Sequence, residues 1–222
     1  MIRGVIFDLD GVLVTTDELH YRAWQQLADE EGIPFDRRIN ERLRGVSRMD
    51  SLAILLERAG RSYDELERVA LAERKNVRYR ELLRTLTPAD VLPGAREMLA
   101  ELKRRGIRVA VASSSRNART ILDRVGLTGS LFDAIVDGND ITRSKPDPEV
   151  FLLAARRLGL APAECLVVED AAAGIEAGRR AGMHVFGIGT PETLPDAPRA
   201  ARGLADVTVD ELLDVTRDPH AA

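Results

Sequence analysis

At 222 residues, with 45% hydrophobic and 31% charged residues, the chain has the apolar mass for one large domain or a core with a modest insertion. Its formal charge of −4 gives no electrostatic footprint for nucleic acid. No apolar run approaches the roughly 20 residues that span a bilayer, and Asp8 and Asp10 interrupt the one N-terminal run that could serve as a signal peptide. Cys165 is the single cysteine, which excludes an internal disulfide framework and favours a reduced, cytoplasmic setting. Lysine occurs only at 75, 103 and 145 among many arginines. A lysine kept in that background is a candidate for a compact, flexible point charge, except Lys103 in "ELKRRG", which reads as a solvated helix end.

In chain order, "RGVIFDLD" predicts a buried strand whose apolar run ends in two carboxylates one residue apart, followed at once by Gly11. Burying unpaired carboxylates is costly, so that strand end calls for something positive. Residues 15–87 then read as all-helical. "TTDE" (15–18) predicts a capping box opening a helix through Glu31, stopped by Gly32 and Pro34. Ser47 predicts the cap of a second helix carrying Leu52, Leu55 and Leu56, and "SYDE" (62–65) a capping box opening a long helix through about Leu83.

From about residue 90 strand and helix patterns alternate. Continuous apolar runs at 107–113, 133–138, 164–170 and 183–189 are typical of parallel strands covered on both faces. Helical segments at 94–105, 116–125, 147–158 and 172–181 lie between them, each followed by glycine. "TPETLPDAPRAARG" (190–203) reads as a surface loop, and His184 and His220 as surface residues. The expected fold is α/β: a doubly wound, Rossmann-like, mostly parallel sheet formed by 1–14 and 88–222, with 15–87 as a small all-helical cap inserted after the first strand. The two crossings, near 13–16 and 87–91, make a hinged lid.

Polar residues just beyond the strands converge on one rim, where open α/β sheets bind ligands. The first strand supplies Asp8 and Asp10, the next Ser113, Ser114, Ser115, Arg116 and Asn117, a later loop Lys145, and another strand Glu169 and Asp170. Oxygen-rich acids without a His/Cys cluster favour a hard cation, Mg²⁺ before Zn²⁺. Ser113 is expected to open a helix whose N–H groups suit a phosphate oxygen. Mg²⁺, phosphate and a carboxylate together suggest phosphoryl transfer through an aspartyl-phosphate, with a second acid moving the proton. Taken singly, each piece has a plainer reading: D-x-D as a loop, "SSSRN" as a cap and turn, "ED" as helix-dipole compensation, His20 as a surface residue, Trp24 as core.

"FDLDGVL", "VASSS", "SKPDPEVF" and "VVEDAAAGIEAG" resemble the successive motifs of the haloacid-dehalogenase superfamily. "HYRAW", "LRGVSRMDSL", "ERKN", "TPADVLPG" and "SSSRN" resemble those of its β-phosphoglucomutase branch. That resemblance implies interconversion of β-D-glucose 1-phosphate and β-D-glucose 6-phosphate through bound β-glucose 1,6-bisphosphate. It implies Asp8 as nucleophile, Asp10 as general acid–base, and Mg²⁺ held by Asp8, the Asp10 carbonyl and Asp170, with Glu169 direct or through water. Ser113 and Lys145 would hold the transferring phosphate, and Arg48, Arg116 and Asn117 the other. His20, Trp24, Leu43, Arg44, Gly45, Val46, Ser47, Ser51 and Lys75 would line the sugar side, with Ser114 and Ser115 among the substrate contacts. The branch commonly has an acid where Thr15 stands and lysine where Arg44 and Arg116 stand. The expected partners are small sugar phosphates and the expected state a monomer. A phosphatase of the same superfamily, or a non-catalytic sugar-phosphate sensor, would share much of this pattern.

Overall fold

The computed structural model describes residues 1–214, so His220 lies outside the described residues. The first elements are strand β1 (Gly4–Phe7) and helices α1 (Asp17–Glu31), α2 (Arg37–Glu41), α3 (Arg48–Leu56) and α4 (Glu65–Leu82). Next come α5 (Ala95–Arg104), β2 (Arg108–Ala112), α6 (Ala118–Val125), β3 (Ala134–Val136) and α7 (Glu149–Leu158). The last are β4 (Cys165–Glu169), α8 (Ala172–Arg180), β5 (His184–Ile188), β6 (Ala200–Ala201) and α9 (Val209–Leu213). The strands form one parallel sheet in the order β3-β2-β1-β4-β5-β6. Strand order reverses at β1, which opens a crevice at its carboxyl end.

The continuous apolar runs follow from coverage of both faces. Alternate residues Val5, Phe7, Val109, Val111, Leu166 and Val168 face a core shared with α5 and α6. The intervening Ile6, Ala110, Ala112, Cys165 and Val167 face a second core completed by α7 and α8. With no solvent-facing side, these strands have no reason to alternate apolar and polar residues. Gly178 lets α8 approach the sheet, since a Cβ there would lie 2.8 Å from Val185 Cγ2.

The four helices between residues 17 and 82 enclose a separate apolar cluster of Trp24, Leu27, Leu52, Leu55 and Leu71. Tyr79 and Leu83, at the far end, join the core on the α5 side of the sheet. The two chain crossings are paired: Val14 and Val91 form an antiparallel bridge, Leu92 N–H donates to Leu13 O at 2.9 Å, and Thr15 N–H to Asp90 O at 3.2 Å.

Three local expectations are corrected. The Thr15–Glu18 box does not form. Thr16 is the N-cap of α1, makes no side-chain cap, and gives its hydroxyl to the Asp10 carboxylate. A half-buried carboxylate crowded by other acids needs a donor more than a helix end whose first turn already carries Asp17 and Glu18. The second box is Asp64–Glu67 rather than Ser62–Glu65, and the two-residue shift lets Tyr63 turn inward and donate to Glu31 at 3.0 Å. The 190–203 stretch is not simply a surface loop. Leu194 is buried in the space that side-chain-free Gly187 and Gly189 leave open, and Ala200–Ala201 pairs with β5.

Gly178→Ala should destabilise the protein by about 1–3 kcal/mol through overpacking against the β-branched Val185, read from the midpoint and slope of a urea unfolding curve.

Candidate active site

The site is organised by one buried cation. Lys145, in the loop before α7, has its Nζ beyond the ends of three neighbouring strands. It donates to Asp8 after β1, to Ala112 O of β2 at 3.2 Å, and to Glu169 Oε1 of β4 at 2.7 Å. The side chain is fully buried, and the ammonium's three donors are all used. Burial alone would pull its pKa down, but Asp8 and Glu169 outweigh burial and hold it above its ordinary value. Burial pushes Asp8 up; Lys145 opposes this and Glu169 adds to it.

Glu169 spends its other oxygen on the Asp170 and Ala171 N–H groups, at 2.7 and 2.8 Å. A Cβ at Gly174 would collide with its carboxylate, so the small-residue start of α8 makes room for this acid. Asp8, Glu169 and Asp170 each bring one oxygen to within 4.8 Å of the others. Burial pushes Asp170 well up, with Glu169 next and Asp8 contributing. Crowded, all-oxygen carboxylates of this kind fit a hard divalent cation, whose charge relieves their repulsion. The Asp10 side chain is not part of that trio. Its carboxyl is pushed well above the carboxylate range by burial, then by Asp8 and Asp17, which suits a proton carrier.

Above the rim lies a cavity of about 950 Å³. Every site residue expected from sequence lines it except Glu169, which lies fully buried beneath. Ser113 does not open a helix: α6 begins at Ala118. Ser113 instead ends the β2 ladder, its N–H on Val136 O at 3.0 Å, and its hydroxyl accepts Ser115 N–H at 3.1 Å. The turn spends local donors on itself and delays the helix by five residues.

The helical wall carries the cations. Lys75, buried on α4, lies 2.9 Å from His20 Nδ1, with its ammonium 4.8 Å from the Trp24 ring and 4.4 Å from that of Tyr79. His20 is therefore no free surface residue. Burial, then Lys75 and Arg48, keep its pKa well below the usual imidazole value, leaving a neutral ring. Lys75 is also held well down, by burial and then Arg48. Arg48, at the start of α3, pairs with Glu73 at 3.3 Å. Burial lowers its pKa and Arg116 adds to this, with Glu73 opposing. Two guanidiniums crowded together in this way suit an anion between them.

The helical wall and the rim also touch directly. Ser114 Oγ donates to Gly45 O at 3.1 Å, Asn117 Nδ2 to Asn76 Oδ1 at 3.1 Å, and Ser144 Oγ to Asp50 Oδ2 at 2.5 Å. Arg44 pairs with Asp170 across the same gap. Sequence reading missed Asp17, Asp50, Asn76, Tyr79 and Ser144. Tyr79 was findable, because it lies one helical turn from Lys75 and shares its face; Asp50, Asn76 and Ser144 stand inside "LRGVSRMDSL", "ERKN" and "SKPDPEVF" and were passed over there.

Lys145→Met should cost about 3–5 kcal/mol of stability in metal-free buffer by stranding two buried carboxylates, measured by urea titration. In the wild type, the His20 ring resonances should stay unshifted from pH ~8 to ~5.5, where an ordinary histidine protonates, followed by heteronuclear NMR.

Residues 2–182 match the family model described as haloacid dehalogenase-like hydrolase. The chain is 44% identical to the β-phosphoglucomutase of Bacillus subtilis over 95% of its own length and 94% of that protein. It is 34% identical to the phosphorylated carbohydrates phosphatase of Thermotoga maritima, over 98% and 99%. The crystal structure of β-phosphoglucomutase from Clostridium difficile superposes with a TM-score of 0.90 at 39% identity, covering 95% of each chain. The chain belongs to the haloacid dehalogenase-like hydrolase family.

Proposed function

We propose that this chain is a Mg²⁺-dependent β-phosphoglucomutase, interconverting β-D-glucose 1-phosphate and β-D-glucose 6-phosphate through β-glucose 1,6-bisphosphate. The observation that carries this reading is a cavity with two anion-seeking ends. In this reading Lys145, which donates to Asp8, and Ser113 serve the transferring phosphate, and Arg48, Arg116 and Asn117 serve the other; all of them line the one cavity. A mutase needs both, because its bisphosphate must turn end over end and each phosphate must fit each place. Hydrolysis needs one.

In this reading phosphorylated Asp8 gives its phosphoryl group to the 6-hydroxyl of β-glucose 1-phosphate while Asp10 takes the hydroxyl proton. The bisphosphate reverses. Asp8 then attacks the phosphorus on the C1 oxygen, and Asp10 returns the proton to that oxygen as the bond breaks. Mg²⁺, held by Asp8, Asp170 and the Asp10 carbonyl with Glu169 direct or through water, would supply positive charge against the phosphoryl oxygens. Lys145 places the nucleophile and offers a fixed cation to the same oxygens. Residues 15–87 act as a cap hinged at the paired crossings, with 1–14 and 88–222 as the core. Binding of the remote phosphate by Arg48 favours closure, which keeps water from the aspartyl-phosphate. A monomer fits, since one chain supplies the whole cavity lining, and a cytoplasmic setting fits substrates too charged to cross a bilayer unaided.

With β-glucose 1-phosphate, Mg²⁺ and a trace of the bisphosphate, glucose 6-phosphate should dominate. Predominant free phosphate would place the chain with the phosphatases, and binding without turnover would make it a sensor. Arg48→Ala should lower mutase turnover by about 10²-fold while leaving spontaneous hydrolysis of the phosphoenzyme nearly unchanged, compared by coupled assay and by decay of label on Asp8.

A further inference from the structure

Arg44 stands where the helical wall comes closest to the core. Its neighbour Gly45 approaches so tightly that a Cβ would sit 3.0 Å from the Ala171 methyl. From there the guanidinium reaches Asp170, with Nη2 also 3.0 Å from Asp17 and Nη1 3.5 Å from Glu41. Gly11 makes the meeting possible: a side chain there would collide with Asp170 and lie 3.2 Å from Arg44 Nη2. Asp170 is nearly buried, its side chain 8% exposed against 32% for Arg44, and it belongs to the carboxylate trio that suits a divalent cation. Among its partners here, Arg44 supplies the positive charge that such a cation would otherwise supply.

The three acids are unequally placed. Asp170 belongs to the core, whereas Asp17 begins α1 and Glu41 ends α2, on the same side of the cleft as Arg44 itself. A planar guanidinium with five donors can keep Asp17 and Glu41 while losing Asp170. We propose that Arg44 is a positioning residue that competes with the divalent cation for Asp170. Without metal it ties the helical insertion to the core. When the cation takes the Asp170 oxygen, the guanidinium stays with Asp17 and Glu41, and that tie across the cleft is released. Metal loading thereby loosens the cap and exposes the cavity to incoming sugar phosphate.

This rests on reading Asp8, Glu169 and Asp170 as the metal site, and the experiment separates the two. Mg²⁺ is titrated calorimetrically into the wild type and Arg44→Gln. Spin labels on exposed Arg58→Cys and Arg124→Cys report the distance between insertion and core by double electron–electron resonance. Arg44→Gln should bind Mg²⁺ about tenfold more tightly. The wild-type distance should lengthen on adding Mg²⁺, and Arg44→Gln should show the longer distance without metal and no further change. Equal affinities in the two proteins would overturn the competition. Tighter binding with a wild-type distance indifferent to Mg²⁺ would overturn the tie, leaving a long-range field effect. Absence of Mg²⁺ binding in both would remove the metal site itself.

Discussion

The ammonium of Lys145 is the point on which the rest is arranged. Three adjacent strands, β2, β1 and β4, end in groups that would repel or go unsatisfied: the carbonyl of Ala112 and the carboxylates of Asp8 and Glu169. One buried cation satisfies all three. A buried charge pair contributes little net stability compared with apolar packing, yet losing one member is severe. Such an arrangement fixes geometry more than it adds stability. Asp8 is held at the mouth of an apolar core with its carboxylate oriented, and Glu169 is locked between lysine and backbone N–H groups. The remaining acid, Asp170, is met by Arg44 from the helical wall.

Charge is divided across the cavity. The core side presents carboxylates around Lys145, and the helical side presents Lys75, Arg48 and a neutral His20, with Arg116 reaching in from the rim. Arg48 and Lys75 are each held below their ordinary pKa by burial, with other cations contributing. Neither wall is at ease alone. A dianionic phosphate at the cationic end and a divalent metal at the acidic end would relieve both. A molecule with a phosphate at each end meets the demands of the two walls only when they face each other, so closure and ligand recognition draw on the same electrostatics.

Much of this was legible in sequence where burial left a strong mark. The five longer strands could be read because two covered faces demand uninterrupted apolar runs, and the rim residues because, Lys145 in its loop before α7 apart, they stand at the ends of such runs. What could not be read depended on choices between near-equal local options. Thr15 and Thr16 are both fair caps; only the burial of Asp10 makes the second hydroxyl more useful elsewhere. Ser62 and Asp64 are equally good cap residues, and the inward turn of Tyr63 decides between them. Ser113 looks like a helix opener, but the run of hydroxyls after it makes a self-satisfied turn. β6 is two residues long and has no period to detect. Asp50 and Ser144 meet only because the helical wall lies against the rim of the sheet, a contact between positions 94 residues apart in the chain.

The paired crossings link these observations. Because Val14 and Val91 are bridged and Leu13, Thr15, Asp90 and Leu92 exchange backbone hydrogen bonds around them, the two crossings are tied to each other. Val14 is also bridged to Asp10, four residues earlier, and Thr16, the first side chain past the crossing, donates to the Asp10 carboxylate. Any rotation that carries α1 away from the core therefore pulls on the donor that holds the raised-pKa acid. The acid's donor and the start of the helical wall thus share one short stretch of chain. Asp17, next in sequence, extends the linkage to Arg44 and through it to Asp170. Within eight residues, Asp10 to Asp17, the chain joins the acid whose pKa is raised, the paired crossings and a partner of the guanidinium that reaches Asp170, so the acid and the acidic trio are linked through contacts within one short stretch.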